Sequence, residues 1–289
     1  MKYKKELLTF LALLLAFTAA CYVPIIQAHS IKAGDGLYSS LLMWCPGAAA
    51  ILTTLIFPGA RKEFFKSLGL LPGKPIYWII GFTLPLVYGL VAYSFIWTTG
   101  IGGFPNKQYF IAALRSYPQL SPDLAALALG AHMMTVDFIM NLHRGFGEEL
   151  GWRGFLVPRL NDSMSFAKTS TVIGCAWGLW HVPAIILTTD YNNGAAVWLG
   201  LVCFAILVVS VSFILSWLRL RSNSVWPCAI LHISHNVAIQ GIFTPLTITR
   251  EYTPYFVDEF GIALAMVAAG FAFIVWKKEK NSQPSAVES

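Results

Sequence analysis

The sequence predicts an all-α fold, a polytopic membrane helix bundle of about eight transmembrane helices with both termini cytosolic. Three observations predict it. Of 289 residues, 56% are apolar and only 12% are charged, about half the ~25% charged content of a soluble domain. The apolar residues fall in long runs near the ~20 residues that cross a bilayer, and the charges sit in small clusters between them. This composition excludes an ordinary soluble enzyme, a disordered chain and a secreted disulfide scaffold.

The runs, bounded by charged or turn residues, are 7–29, 37–58, 76–98, 124–143, 168–188, 195–217, 225–246 and 260–276. The first follows the basic segment Met1 to Glu6, and Thr18-Ala19-Ala20-Cys21 loosely resembles a lipoprotein cleavage site. The run continues past Cys21 to Ile26, however, which favours a retained helix over a cleaved leader. Between the second and third runs, Gly59 to Pro75 carries Arg61, Lys62 and Lys66 among Phe64, Phe65 and Leu68. It reads as a positive inner loop, with an interfacial amphipathic stretch as the alternative. No run is separated from the next by enough chain for a soluble domain. Residues 1–280 therefore read as one integral membrane domain, followed by a disordered polar tail, 281–289.

Lysine and arginine set the orientation. With the N-terminus inside, sixteen fall on cytosolic segments and four, Lys32, Lys107, Arg115 and Arg250, on outer ones. The net charge of +6 is thus a membrane signature and not a nucleic-acid footprint. Cys21, Cys45, Cys175, Cys203 and Cys228 all lie in apolar stretches without CxxC spacing and read as small buried hydrophobes.

Ionisable residues inside membrane helices are functional hypotheses by default, since each costs about 2.5–3.5 kcal/mol at the bilayer centre. They concentrate in Gly147-Glu148-Glu149-Leu150-Gly151-Trp152-Arg153, in Trp177-Gly178-Leu179-Trp180-His181, and in His232-Ile233-Ser234-His235-Asn236. His181 lies thirteen residues beyond Lys168, hence ~20 Å deep at 1.5 Å per residue. Counted from Val225, His232 and Asn236 lie ~10 and ~16 Å deep. The first cluster reaches the same level if its helix starts at Ser121-Pro122 and runs to about Leu160, bending at Gly145 or Gly147.

Spacing divides the roles. Glu149 and Arg153 are i, i+4 in the favoured acid-before-base order, so each can neutralise the other as supporting residues. Glu148 points about 100° away, with Arg144 as a partial counter-charge. Glu148 and His181 can hold a water and remove its proton during attack on a peptide carbonyl, while His232 and Asn236 donate to the developing oxyanion. His235, Asp137, His132 and His143 read as helix-packing or interface groups. Two alternatives stay open: a zinc site built from the same histidines and glutamates, although HExxH is absent, and a non-catalytic cavity that binds a partner.

Glu148-Glu149 to Arg153, Trp177 to His181 and His232 to Asn236 resemble the EExxxR, aromatic-xxxH and HxxxN motifs of the CPBP family, the CAAX prenyl endopeptidase and bacteriocin-processing (Abi) intramembrane glutamic proteases. Trp177 stands where a phenylalanine is usual, which preserves the aromatic wall. The resemblance covers about 120–246. It implies an intramembrane endopeptidase without a cofactor, acting on a peptide or protein substrate at the membrane. Glu148, His181, His232 and Asn236 would be catalytic, in a cavity open to the cytosolic side. The implied location is a bacterial plasma membrane, or the endoplasmic reticulum membrane in a eukaryote. Family members linked to bacteriocin self-immunity keep the non-catalytic alternative in place.

Overall fold

The computed structural model describes residues 2–191 and 193–282. The expected polar tail lies outside the described residues from 283 onward, while 281 and 282 still belong to the last helix. Among the described residues the chain has no strand, only an isolated antiparallel bridge between Gly103 and Ile248. The expected all-α bundle is the observed one.

Among the described residues eight long helices form it: α1 Lys4–Gln27, α2 Leu37–Ile56, α3 Pro75–Thr98, α4 Pro122–Asn161, α5 Phe166–Leu187, α6 Val197–Ser222, α7 at 226–246 and α8 Ile262–Ser282. The first six are long and apolar enough to cross a membrane. Helix α7 is diluted by His232, His235, Asn236 and Gln240, and α8 ends in Lys277, Lys278, Glu279 and Lys280. Large apolar side chains such as Leu15, Leu90, Ile139, Leu179, Val202 and Phe273 point outward from the bundle. A soluble protein rarely exposes so continuous an apolar surface, whereas a lipid-facing one must.

The helices alternate in direction, which brings both chain ends to one end of the bundle. There Arg159 Nε donates to Glu6 Oε2 at 2.8 Å, Arg221 pairs with Glu279, and Val225 N–H donates to Gly69 O at 2.8 Å. The opposite end gathers the loops 28–36, 99–121, 188–196 and 247–261. It is tied by Ser30 Oγ donating to Asp190 Oδ2 at 2.6 Å and by Asn193 Nδ2 donating to Pro254 O and Val257 O. Desolvation opposes the charge on Asp190, but the donors Ser30 and Ile31 outweigh it and hold its carboxyl below the ordinary range.

Helix α7 is the inner strut, packed against α3, α4 and α6, while α4 also packs on α2 and α5 on α6. Helix α4 starts at Pro122 as expected, although the Ser121 side chain makes no capping bond. The helical path stays unbroken from Pro122 to Asn161, with π-helical turns at Met133–Asp137 and Leu150–Leu156. Gly47, Gly147 and Gly151 allow close helix approach. A Cβ on Gly147 would lie 2.9 Å from Met43 O, one on Gly47 2.6 Å from Gly147 O, and one on Gly151 against Pro46. Backbone contact of this kind between α2 and α4 holds the first motif at a fixed depth, as small residues do in membrane bundles generally.

The segment after α2 forms two short helices, Pro58–Lys62 and Phe64–Ser67. Leu68 is fully buried behind them and Phe65 is exposed. The loop thus closes that end of the bundle with one apolar anchor.

Candidate active site

The three motifs converge. Glu148 and Glu149 close the α-helical part of α4 before the π-helical turn that carries Arg153, and such turns recur at functional sites. Trp177 and His181 are i, i+4 on α5, and His232 and Asn236 are i, i+4 on α7 just before its own π-helical stretch, Val237–Phe243. Glu148, Trp177, His181, His232 and Asn236 line one cavity of about 240 Å³.

The adjacent carboxylates have opposite fates. Glu149 Oε1 accepts from Arg153 Nη1 at 3.0 Å and from His232 Nδ1 at 2.9 Å, and all three side chains are buried. Arg153 Nη2 donates to Ser212 Oγ at 2.6 Å, and its guanidinium lies 4.3 Å from the centre of the Trp177 ring. Charge, hydrogen bonding and stacking together hold an ion pair that desolvation alone would make costly. Glu148 Oε2 accepts from Trp177 Nε1 at 2.8 Å and stands 3.9 Å from His181 Nε2. That gap is too long for a direct hydrogen bond and short enough for one water to touch both atoms. Trp177, read from sequence as an aromatic wall, therefore also orients the carboxylate.

His181 Nδ1 meets Tyr191 Oη at 3.2 Å, and its ring packs edge-on against Trp180 and Phe204. His232 is less free than its spacing implied. An ionised carboxylate only accepts, so its Nδ1 carries the proton that binds Glu149, which leaves Nε2 for the cavity. Asn236 is half-buried and lines the cavity one turn further along α7.

His235, read from sequence as a packing residue that could also face the cavity, does line the cavity, and it packs with partners the motifs did not announce. Its Nε2 donates to Glu259 Oε1 at 3.1 Å, its Nδ1 meets Tyr88 Oη, and Gln240 Nε2 donates to the same Glu259 oxygen at 3.0 Å. Glu259 lies on the loop 247–261 and lines the same cavity. Its neighbour Asp258 is raised to about 7 by burial and by the charge of Glu259. No periodicity marked these residues; the signal was a pair of acids directly before the last apolar run. His132 and Asp137 approach to 3.8 Å on the exposed side of α4, and Trp44 Nε1 donates to His143 Nδ1 at 3.4 Å, away from the cavity.

The cavity does not open where the sequence reading expected. Its lining includes Ile31, Ser39, Tyr191 and Glu259, at the end of the bundle opposite the termini, and no residue of the loops 57–74, 162–165 or 223–225. Towards the termini Trp152, Arg153, Phe155 and Leu68 are fully or almost fully buried and fill the space. Arg144 and Arg153, counted from sequence among the cytosolic charges, lie inside the candidate span Pro122–Asn161. Among the described residues, no three His, Cys, Asp or Glu side chains are grouped to hold a metal ion. The donor set fits zinc poorly, because one oxygen of Glu149 already serves His232 and Arg153.

Residues 130–238 match the family model described as type II CAAX prenyl endopeptidase Rce1-like. All three motifs lie inside that match. The motif segment is thus similar to that family. Over 148 residues the chain is also 26% identical to the CAAX prenyl protease 2 of Methanococcus maripaludis, covering 49% of each sequence. The match thus spans about half the length of that curated relative. The resemblance read from the CPBP motifs holds over the segment that carries all three motifs, while α1 to α3 and α8 lie outside the family-model match.

Proposed function

We propose that this chain is an intramembrane endopeptidase that hydrolyses a peptide bond of a membrane-associated substrate, with Glu148 as general base and His181 sharing the water. The observation that carries this reading is the 3.9 Å separation of Glu148 Oε2 and His181 Nε2 on the wall of one buried cavity. Glu148 takes a proton from water as the oxygen adds to the carbonyl carbon, and the negative charge that develops on the carbonyl oxygen is met by the Asn236 amide. His232, held by Glu149, donates from Nε2 to the same oxygen as the imidazolium, whose charge the Glu149 carboxylate balances. When the C–N bond breaks, the proton held by Glu148 passes to the leaving amine. Glu149 and Arg153 hold His232 and the Trp177 ring in register.

Neither a metal nor a cofactor enters this reading. The CAAX-type relative suggests a C-terminal, lipid-bearing substrate, and a bacterial precursor peptide is the other class. The cavity mouth, together with the lysine and arginine asymmetry, favours entry from the face opposite the termini, in a plasma membrane the outer face. An impermeant thiol reagent is then expected to label Lys32→Cys in intact cells.

The test is terminal-peptide proteomics of membranes carrying the wild type or Glu148→Ala. New termini that appear only with the wild type support the proposal. Identical termini in both, with the variant folded, would favour the binding reading instead.

A further inference from the structure

Arg144 lies one helical turn before Glu148 on the same side of α4, and it lacks the partner that its position demands. Its Nη2 donates to Ser40 Oγ at 2.7 Å and Ser39 Oγ at 3.4 Å, and its Nη1 reaches Asn141 Oδ1 at 3.5 Å. All three acceptors are neutral, and Nε is buried without any hydrogen bond. Of the buried arginines, Arg153 and Arg159 pair with Glu149 and Glu6, and Arg219, away from the cavity, makes no ion pair among the described residues. Among the described residues no carboxylate forms an ion pair with Arg144: Glu148 accepts from Trp177, and Asp35 only shares an outer recess with it. A half-buried guanidinium held by hydroxyls and an amide keeps a strong, directional capacity for an anion.

Its place gives that capacity a use. Arg144 lines the cavity that holds Glu148 and also the outer recess that contains Lys32, Asn141 and His143. It therefore stands where a chain would pass from the mouth to the candidate catalytic carboxylate. Resting on the peptidase reading, we propose that Arg144 is a specificity-determining residue that binds a substrate carboxylate close to the bond to be cut. Side chains at i and i+4 are about 5–6 Å apart at their Cβ atoms, and an extended peptide advances about 3.3 Å per residue. The carboxylate then lies within about one to three residues of the scissile bond. Two sources have this chemistry, the C-terminus of the substrate and an Asp or Glu side chain.

The test uses the full chain in detergent and three randomised octapeptide libraries: one with free C-termini, one amidated, and one amidated and lacking Asp and Glu. Binding is read as thermal stabilisation of Glu148→Gln, and cleavage by the wild type is read by mass spectrometry. A terminal carboxylate predicts stronger stabilisation by the free-ended library. An acidic side chain predicts that the amidated library still binds and the acid-free one does not. In either case the preference falls by about tenfold to a hundredfold when Arg144→Gln is added. Arg144→Lys keeps the charge without the fork and serves if Arg144→Gln does not fold; a preference reduced about tenfold is expected there. Equal stabilisation by all three libraries, or a preference unchanged by either substitution, overturns the proposal. Failure of the wild type to cleave any library counts against the peptidase reading, while the binding comparison still decides the role of Arg144.

Discussion

Two acid-histidine clusters sit three residues apart on α7, and they are built in different ways. His232 meets Glu149, and both come from helices whose i, i+4 patterns also supply Arg153 and Asn236. His235 meets Glu259, which arrives on a loop, with Tyr88 from α3 and Gln240 from the π-helical stretch of α7 completing the set. The first cluster contains a full counter-charge and excludes solvent. The second is equally buried and lines the cavity where the loop 247–261 meets it. Charge fixed by helices is suited to hold reacting groups in register, and charge delivered by a loop is suited to shape access.

The largest expected effect lies just outside both clusters. Glu148→Gln should reduce turnover about 100- to 10,000-fold while thermal stability stays near wild type, because a glutamine oxygen can still accept from Trp177. Activity that survives in the folded variant would move the base elsewhere. Next, Arg153→Leu should lose about 3–5 kcal/mol of stability, since it leaves Glu149 buried with only His232. A denaturation midpoint close to wild type would show that the first cluster is not the structural one.

Glu259→Gln should be milder, about 1–3 kcal/mol in stability, with a larger change in KM than in kcat. The reverse split would make the loop cluster part of the chemistry. The smallest effect is in pH dependence. Because burial and Glu259 raise the Asp258 carboxyl to about 7, the folded state favours its protonated form. That contribution is whole below the unfolded value and fades as pH rises from about 4 through about 7. Asp258→Asn, at a left-handed position (φ 65°) that asparagine tolerates, should flatten this part of the stability profile. A profile unchanged from wild type would remove Asp258 from the account.

The legible part of the site was the part carried by helix periodicity. Glu149 with Arg153 and His232 with Asn236 could be paired by spacing, and depth counting brought His181 to the same level as the other two motifs. Glu259 and Tyr191 were not assigned, and Arg144 was read only as a partial counter-charge to Glu148, because their roles depend on where the loops fold and on which neighbour each side chain meets. Gly147 illustrates the same limit: nothing in its sequence context announced the close approach to Met43 on α2.

By itself the sequence determined a bundle of apolar helices, its charge asymmetry and the three polar motifs, since these follow from bilayer thickness and the 3.6-residue period. Only the tertiary structure decided that His232 is bound to Glu149, that Glu148 faces His181 across a water-sized gap, and that the cavity mouth lies opposite the termini. Those outcomes depend on helix-to-helix packing and loop placement, which bring together residues far apart along the chain and are encoded in no local pattern.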